Sequence, residues 1–328
     1  MSQNNLPIIY LGIDVAKAHL DLDATRLPRL RRVENTPAGH RQIIQALTAL
    51  AAKSAHSLHV ILEATGGYEQ PLVEALRAAH ICLSVVMPGR VRKFAQGLGQ
   101  DAKTDAIDAA LLSAYGQSAQ PTPTQPLTVT ERQVRALTRR RRQLLQIQTQ
   151  ERNRDLGTAT PATVRTGAAK LLALLQKQIA EIDRALRELE KADATFQAKI
   201  TTLCTIEGVG RTTATATLAA IPELGTLNRA EAGSLAGLAP KNRDSGQTTA
   251  RRFIRGGRCE ARQALYMAAV SAARCNPVLR LFYQRLRENG KAAKLALTAV
   301  MRRLLIHMNS LLKPLLSSST NRPSQPPI

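Results

Sequence analysis

The chain has 328 residues, enough for two domains, and its 46 lysines and arginines outnumber 24 acids to give a net charge of +22. At 44% apolar it can build real cores, which excludes wholesale disorder. No run of ~18 apolar residues points to a membrane-spanning helix, and the N-terminal MSQNNLPIIYLGID lacks the basic and apolar regions of a signal peptide. So large a positive surplus repels itself unless a polyanion is near, so nucleic acid is the first partner implied and a lipid surface the second. Four cysteines (Cys82, Cys204, Cys259, Cys275) never form CxxC, which reads as buried or idle thiols in a reducing cytoplasm. The charge is uneven. Residues 1–120 hold 12 basic and 10 acidic side chains, net +2, leaving 34 against 14, net +20, for the rest. A near-neutral segment with spaced acids suggests catalysis, and a basic one suggests a clamp.

In chain order, residues 8–13 (IIYLGI) form an apolar strand ending at Asp14, and 19–23 (HLDLD) alternate as a half-buried strand does. Residues 29–34 offer a third strand. Pro37 opens a helix through PAGHRQIIQALTALAAK. Residues 58–62 (LHVIL) read as a buried strand ending at Glu63, 68–80 as a helix, and 81–87 as a strand stopped by Pro88. His56 and His59, ahead of or at that fourth strand, read as surface residues. Residues 101–116 read as a helix with an acidic first turn, started by Asp101 and closed by Gly116. Strands first, then alternating helix and strand, predict a three-layer α/β domain.

The polar, proline-rich stretch 117–126 predicts a domain boundary. A long polar helix follows over about 127–155 with Arg139, Arg140, Arg141 and Arg142, broken by 156–167. Leu172, Leu175, Ile179, Ile182, Leu186 and Leu189 then recur at spacings of 3, 4, 3, 4, 3, a heptad seam. It suits an antiparallel hairpin, an intersubunit coiled coil, or an amphipathic helix lying on its own domain. Residues 199–315 read as mostly helical, and 316–328 as a disordered tail.

Three groups carry chemistry. Asp14 and Glu63 end strands, and Asp105 and Asp108 share a helix face. Brought to one rim, four carboxylates would repel unless cations neutralised them, and Mg²⁺ suits such oxygen donors and a phosphate substrate. Small neighbours (Gly12, Ala64, Gly66, Gly67) would admit a nucleic-acid backbone. Singly, each acid reads first as a surface residue or a cap. In the second group, Gly208-Val209-Gly210 leads into Arg211, Thr212 and Thr213, which resembles a helix-hairpin-helix gripping phosphate through backbone N–H groups, or an ordinary interhelix turn. In the third, Ser245, followed by Gly246, lies among Lys241, Arg243, Arg251, Arg252, Arg255 and Arg258. Guanidiniums there would hold a phosphate for attack by a serine, although no histidine lies near to take its proton, and the residues by themselves read first as a loop serine. Aromatics are only 3% of the chain, so the nucleic-acid backbone rather than base stacking should dominate binding.

The segments YLGIDVAK, ILEATGGYEQPL and DAKTDAIDA resemble the DEDD catalytic core of the insertion-sequence 110 family of transposases, and IEGVGRTTA, LAGLAPKNRDSG and GGRCEARQAL resemble its C-terminal domain. The resemblance spans nearly the whole chain. It implies an α/β RNase H-like (RuvC-like) N-terminal domain over 1–120 and a helical coiled-coil region over 127–198. A mainly α C-terminal domain with a catalytic serine and a helix-hairpin-helix-like element follows over 199–315. It further implies that Asp14, Glu63, Asp105 and Asp108 hold Mg²⁺ and that Ser245 forms a 5′-phosphoserine link to DNA. The metal site of one subunit would be completed by the serine domain of another, in a tetramer joined by the coiled coil. A noncoding bridge RNA would choose target and donor double-stranded DNA by base pairing, in a bacterial, nucleoid-associated, cytoplasmic setting. Two alternatives are a RuvC-type Holliday-junction endonuclease using water, in which Ser245 is dispensable, and a non-enzymatic basic nucleic-acid-binding protein.

Overall fold

A computed structural model describes residues 7–54, 56–99, 105–154, 157, 160–241 and 253–320. It divides into two compact units, Met1–Pro126 and Leu127–Ile328.

The first unit is a five-stranded mixed sheet in the order β3-β2-β1-β4-β5. Its strands are β1 (Ile8–Val15), β2 (His19–Leu22), β3 (Arg32–Glu34), β4 (Ser57–Glu63) and β5 (Cys82–Val86). β1, β2 and β3 pair antiparallel, whereas β4 joins β1 and β5 joins β4 in parallel. The parallel strands are apolar on both sides because helices cover both faces. Leu11, Ile13, Leu20, Leu22, Val60 and Leu62 share one core with residues of α1 (Pro37–Ser54) and α2 (Gln70–Ala78). On the opposite face Tyr10 and Ile61 pack with Leu111, Leu112 and Tyr115 of α4 (Asp105–Ala119) and Val91 of α3 (Pro88–Gly97).

Differences from the sequence reading have local causes. Helix α3 is additional: Pro88, read only as a strand stop, sits in its first turn, where a missing N–H costs nothing. Gly116 lies inside α4 rather than past its end. A Cβ there would come within 2.8 Å of the Ile61 and Tyr10 side chains, so it is a packing glycine, not a stop. Asp101 lies outside the described residues. The proline-rich stretch packs along β5: the Thr124 N–H donates to the Leu83 carbonyl at 2.9 Å, and the Val85 N–H donates to Thr124 Oγ1 at 2.9 Å. It covers an edge strand that would otherwise be open to pairing. His59 is buried at 5% exposure, not on the surface. Its Nε2 lies 2.8 Å from Ser84 Oγ and its ring stacks on Tyr10. Burial lowers its pKa.

The second unit is helical: α5 (Val129–Arg152), α6 (Ala162–Ala192), α7 (Ala194–Cys204), α8 (Arg211–Ala220), α9 (Arg229–Leu235), α10 (Cys259–Cys275), α11 (Pro277–Glu288) and α12 (Ala293–Thr320). A capping box of Thr128 and Glu131 starts α5. α6 begins inside the stretch read as a break, and α12 runs five residues into the stretch read as a tail. Alone among the described helices, α12 is long and apolar enough to cross a membrane by length and composition. Its Val300, Leu304, Leu305, Met308 and Leu312 are fully buried in the helical core of this unit. A two-stranded ribbon, β6 (Pro240–Lys241) and β7 (Phe253–Ile254), adds a feature that the sequence reading lacked. Of the four cysteines, all free, Cys82, Cys259 and Cys275 are exposed rather than buried.

Candidate functional site

Strand register places the acids. Ile13 pairs with Leu62 across the parallel β1–β4 ladder, so Asp14 and Glu63, the next residues, stand at one level on neighbouring strands. Strands in a sheet lie about 4.8 Å apart, and side chains alternate between faces. Tyr10 and Ile61 face α4, so Asp14 and Glu63, on the same parity, face it too. Both are half-buried.

Helix α4 brings the second pair to that level. Gly116 lies against Tyr10 and Ile61, while Ala109, Leu112 and Ser113 surround Gly12, so α4 runs antiparallel to β1. Two further strand residues advance about 6.7 Å, which a helix covers in four or five residues. The first turn of α4, with Asp105 and Asp108, therefore reaches the end of β1. Asp108 is half-buried, and the Asp105 side chain lies outside the described residues. A Cβ at Gly12 would collide with the Ala109 carbonyl oxygen and come within 2.6 Å of Leu112 Cβ. That corrects its expected role: Gly12 is buried and admits α4, not a nucleic-acid backbone.

The site is acidic and offers oxygen donors, which fits a hard cation such as Mg²⁺. Among the described residues, no three acidic, histidine or cysteine side chains are grouped closely enough to hold a metal ion. Asp21, which the sequence reading passed over, stands directly opposite Asp14 on the same face and is 6% exposed. Arg32 grips it, with Nε at 2.6 Å from Oδ1 and Nη2 at 3.1 Å from Oδ2. The signal was Arg32 on β3, but only register shows that the two residues face each other. Glu69 was also missed. Its Oε2 accepts from the Thr65 N–H at 3.1 Å, Thr65 Oγ1 at 2.9 Å and the Gly67 N–H at 2.8 Å. Burial pushes its pKa up, but hydrogen bonds from Gln70, the backbone and Thr65 outweigh it, so the carboxyl stays below its ordinary range. It braces the loop after Glu63, where Gly66 and Gly67 adopt φ of +82° and +125°.

In the helical unit the expected cations divide. Arg139 and Arg140 are exposed. Arg141 pairs with Asp183 at 2.6 Å and Arg142 with Glu260 at 3.0 Å. Arg211 pairs with the buried Glu190, and Thr212 is exposed at the start of α8. Gly208, at φ +95°, packs so closely that a Cβ would lie 2.6 Å from the Ala272 backbone, whereas Gly210 stands in open space.

Ser245, Arg243, Arg251 and Arg252 lie outside the described residues, as does the Lys241 side chain. Both ends of their segment are fixed by the β6–β7 ribbon, with Lys241 paired to Phe253. Arg255 is exposed just beyond it. Arg258 points inward instead: its Nη1 and Nη2 each donate to Glu223 at 2.7 Å, and Nη1 donates to the Ala220 carbonyl at 3.0 Å. It anchors the ribbon's return strand to the helical core. Burial raises the Glu223 pKa, but the Arg258 hydrogen bond and charge outweigh it and hold the carboxyl low.

Residues 11–158 match a family described as transposase, and residues 200–284 match the transposase IS116/IS110/IS902 family. The chain is 30% identical to the pilin gene-inverting protein of Moraxella bovis over 304 residues, 90% of this chain and 93% of that one. The pilin gene-inverting protein of Moraxella lacunata matches with the same identity and coverage. The chain belongs to the IS110 family of transposases. For this transposase, the mixed α/β sheet followed by a mainly helical region is consistent with a RuvC-like DEDD domain ahead of the family's C-terminal domain. Family membership implies DNA as its substrate and recombination as its activity.

Proposed function

We propose that this transposase is a Mg²⁺-dependent, RNA-guided DNA recombinase that excises and inserts its element through a 5′-phosphoserine intermediate. The observation that carries the reading is the level alignment of Asp14 and Glu63 on one sheet face, with the first turn of α4 delivering Asp105 and Asp108 to that end. These four residues would hold one or two Mg²⁺ ions, which when bound stabilise charge on the oxygens of a phosphoryl transfer. The cations around Ser245 would bind and orient the scissile phosphate. The Ser245 oxygen then bonds to phosphorus as its hydroxyl proton leaves. The bond from phosphorus to the 3′ oxygen breaks, and that oxygen gains a proton to become a 3′-hydroxyl. Reversal on a second duplex exchanges strands, whether the product is a transposed or an inverted segment.

A noncoding bridge RNA would select target and donor duplexes by pairing. The basic helical unit would hold backbones through exposed side chains such as Arg139, Arg140 and Arg255, and through Thr212 and the N-terminus of α8. The heptad seam of α6 would join subunits in a tetramer, and the metal site of one subunit would work with the serine of another. The test is a denaturing gel of protein, guide RNA and DNA with Mg²⁺. A DNA–protein adduct forms with the native chain and is lost in Ser245→Ala. An adduct that survives Ser245→Ala overturns the nucleophile. Metal-dependent cutting with no adduct identifies a RuvC-type endonuclease, and DNA binding that chelators leave untouched, with neither cutting nor adduct, favours a binding protein.

A further inference from the structure

The two strand ends that carry Asp14 and Glu63 each run into a loop. The first is the turn Ala16–His19, closed by the Ala16 N–H donating to the His19 carbonyl at 2.9 Å. The second is the Ala64–Glu69 loop braced by Glu69. One side chain touches both. Asn35 Nδ2 donates to the Ala16 carbonyl at 3.0 Å and to the Tyr68 carbonyl at 3.2 Å. The Asn35 N–H also donates to the Ala18 carbonyl at 3.0 Å.

Asn35 is itself held from three sides. It follows the last residue of β3 and precedes Thr36, whose Oγ1 accepts the Gly39 N–H at 3.3 Å at the start of α1. Its Oδ1 lies 2.8 Å from Nε2 of His40, a residue only 5% exposed. With both amide hydrogens given to carbonyls, Oδ1 can only accept, so His40 Nε2 is the donor. The imidazole thereby sets which way the amide points.

We propose that Asn35, oriented by His40, is a positioning residue for the carboxylate pair. It ties the turn after Asp14 to the loop after Glu63 and so fixes the spacing of the two strand ends. The inference rests on the metal-holding role given above to Asp14 and Glu63. An aspartate cannot replace Asn35, since it has no donor for two carbonyl oxygens. Partners that orient metal ligands without touching the metal typically change affinity by about 10–100-fold when removed.

The experiment uses the full chain without nucleic acid. Mn²⁺ binding is followed by electron paramagnetic resonance, and amide hydrogen exchange is followed over residues 15–19 and 64–69. Asn35→Ala is expected to weaken Mn²⁺ binding about tenfold and to speed exchange in both segments together, with the melting temperature of the helical unit unchanged. Asn35→Asp keeps the side chain's shape, removes the donors and serves if Asn35→Ala does not fold. His40→Gln, which retains a donor, should restore most of the loss seen in His40→Leu. Native Mn²⁺ affinity in both Asn35 variants, or faster exchange in one segment alone, overturns the proposal. Asp14→Asn is the control. If it binds Mn²⁺ as the native chain does, the metal role of Asp14 fails, and the exchange measurement still decides whether Asn35 joins the two loops.

Discussion

The two units place functional groups by different means. In the sheet unit, Asp14 and Glu63 are set by the register of two buried parallel strands, and Gly12 lets α4 approach. The ladder sets their level, because a one-residue slip would turn the whole apolar set outward, and Asn35 ties the loops that follow them. In the helical unit, the short β6–β7 ribbon is held by the Arg258–Glu223 pair and by Arg262, which donates to the Ala236 carbonyl at 3.2 Å. The acids are thus placed by backbone pairing inside a buried sheet, and the ribbon beside residues 242–252 by side-chain ion pairs and hydrogen bonds.

The sharpest contrast comes from removing one chemical group in each unit. Asp14→Asn should lower strand cleavage by at least about 10³-fold, since metal stabilisation of a phosphoryl transition state is several kcal/mol and each ~1.4 kcal/mol is tenfold. Ser245→Ala should abolish the adduct while leaving Mn²⁺ binding intact, and single-turnover gels with parallel metal titrations separate the two. A Ser245→Ala chain that lost metal binding would break the division.

Packing glycines give the next effect. Gly12→Ala should destabilise the sheet unit, and Gly208→Ala the helical unit, by about 1–3 kcal/mol each through overpacking. Hydrogen exchange resolved by segment shows which unit each substitution loosens.

Acid should affect both units through different carboxylates. Glu69 and Glu223 are held below the ordinary glutamate value of 4.5 in the folded chain. Each therefore contributes stability that is fully present above about pH 4.5 and lost as pH falls through the lower folded value. At pH 7, Glu69→Gln and Glu223→Gln should each cost on the order of 1 kcal/mol, and the cost should disappear in denaturation curves taken well below pH 4.5.

The smallest effects lie along one helix. Arg139→Ala with Arg140→Ala should reduce the salt dependence of duplex binding by about 0.9 in log–log slope per lost phosphate contact. Arg141→Ala should leave that slope unchanged and cost at most about 1 kcal/mol of stability by freeing Asp183. Equal slopes for the two would mean that the Asp183 pair opens on binding.

Much of this was legible in the chain. The strands, the D…E…D-x-x-D spacing, the boundary before residue 127 and the basic bias of the second part all follow from periodicity, proline content and charge, which are local properties. Helix α3 was missed because Pro88 was read as an end when it is equally a beginning. The β6–β7 ribbon was missed because two residues per strand leave no periodic trace. Arg258 and Arg142 looked like phosphate ligands because a sequence shows a charge without its partner.

The sequence alone determined most of the strands and helices, that acids would end two strands and open a helix, and a basic surplus suited to polyanions. Tertiary structure decided which acids face one another, that Asp21 beside them is neutralised by Arg32, which arginines turn inward, and that Asn35 bridges two loops. The physical reason is range. Side-chain periodicity is fixed by a residue's immediate neighbours, whereas register, burial and ion pairing depend on residues tens of positions away, brought close only when the cores of each unit pack.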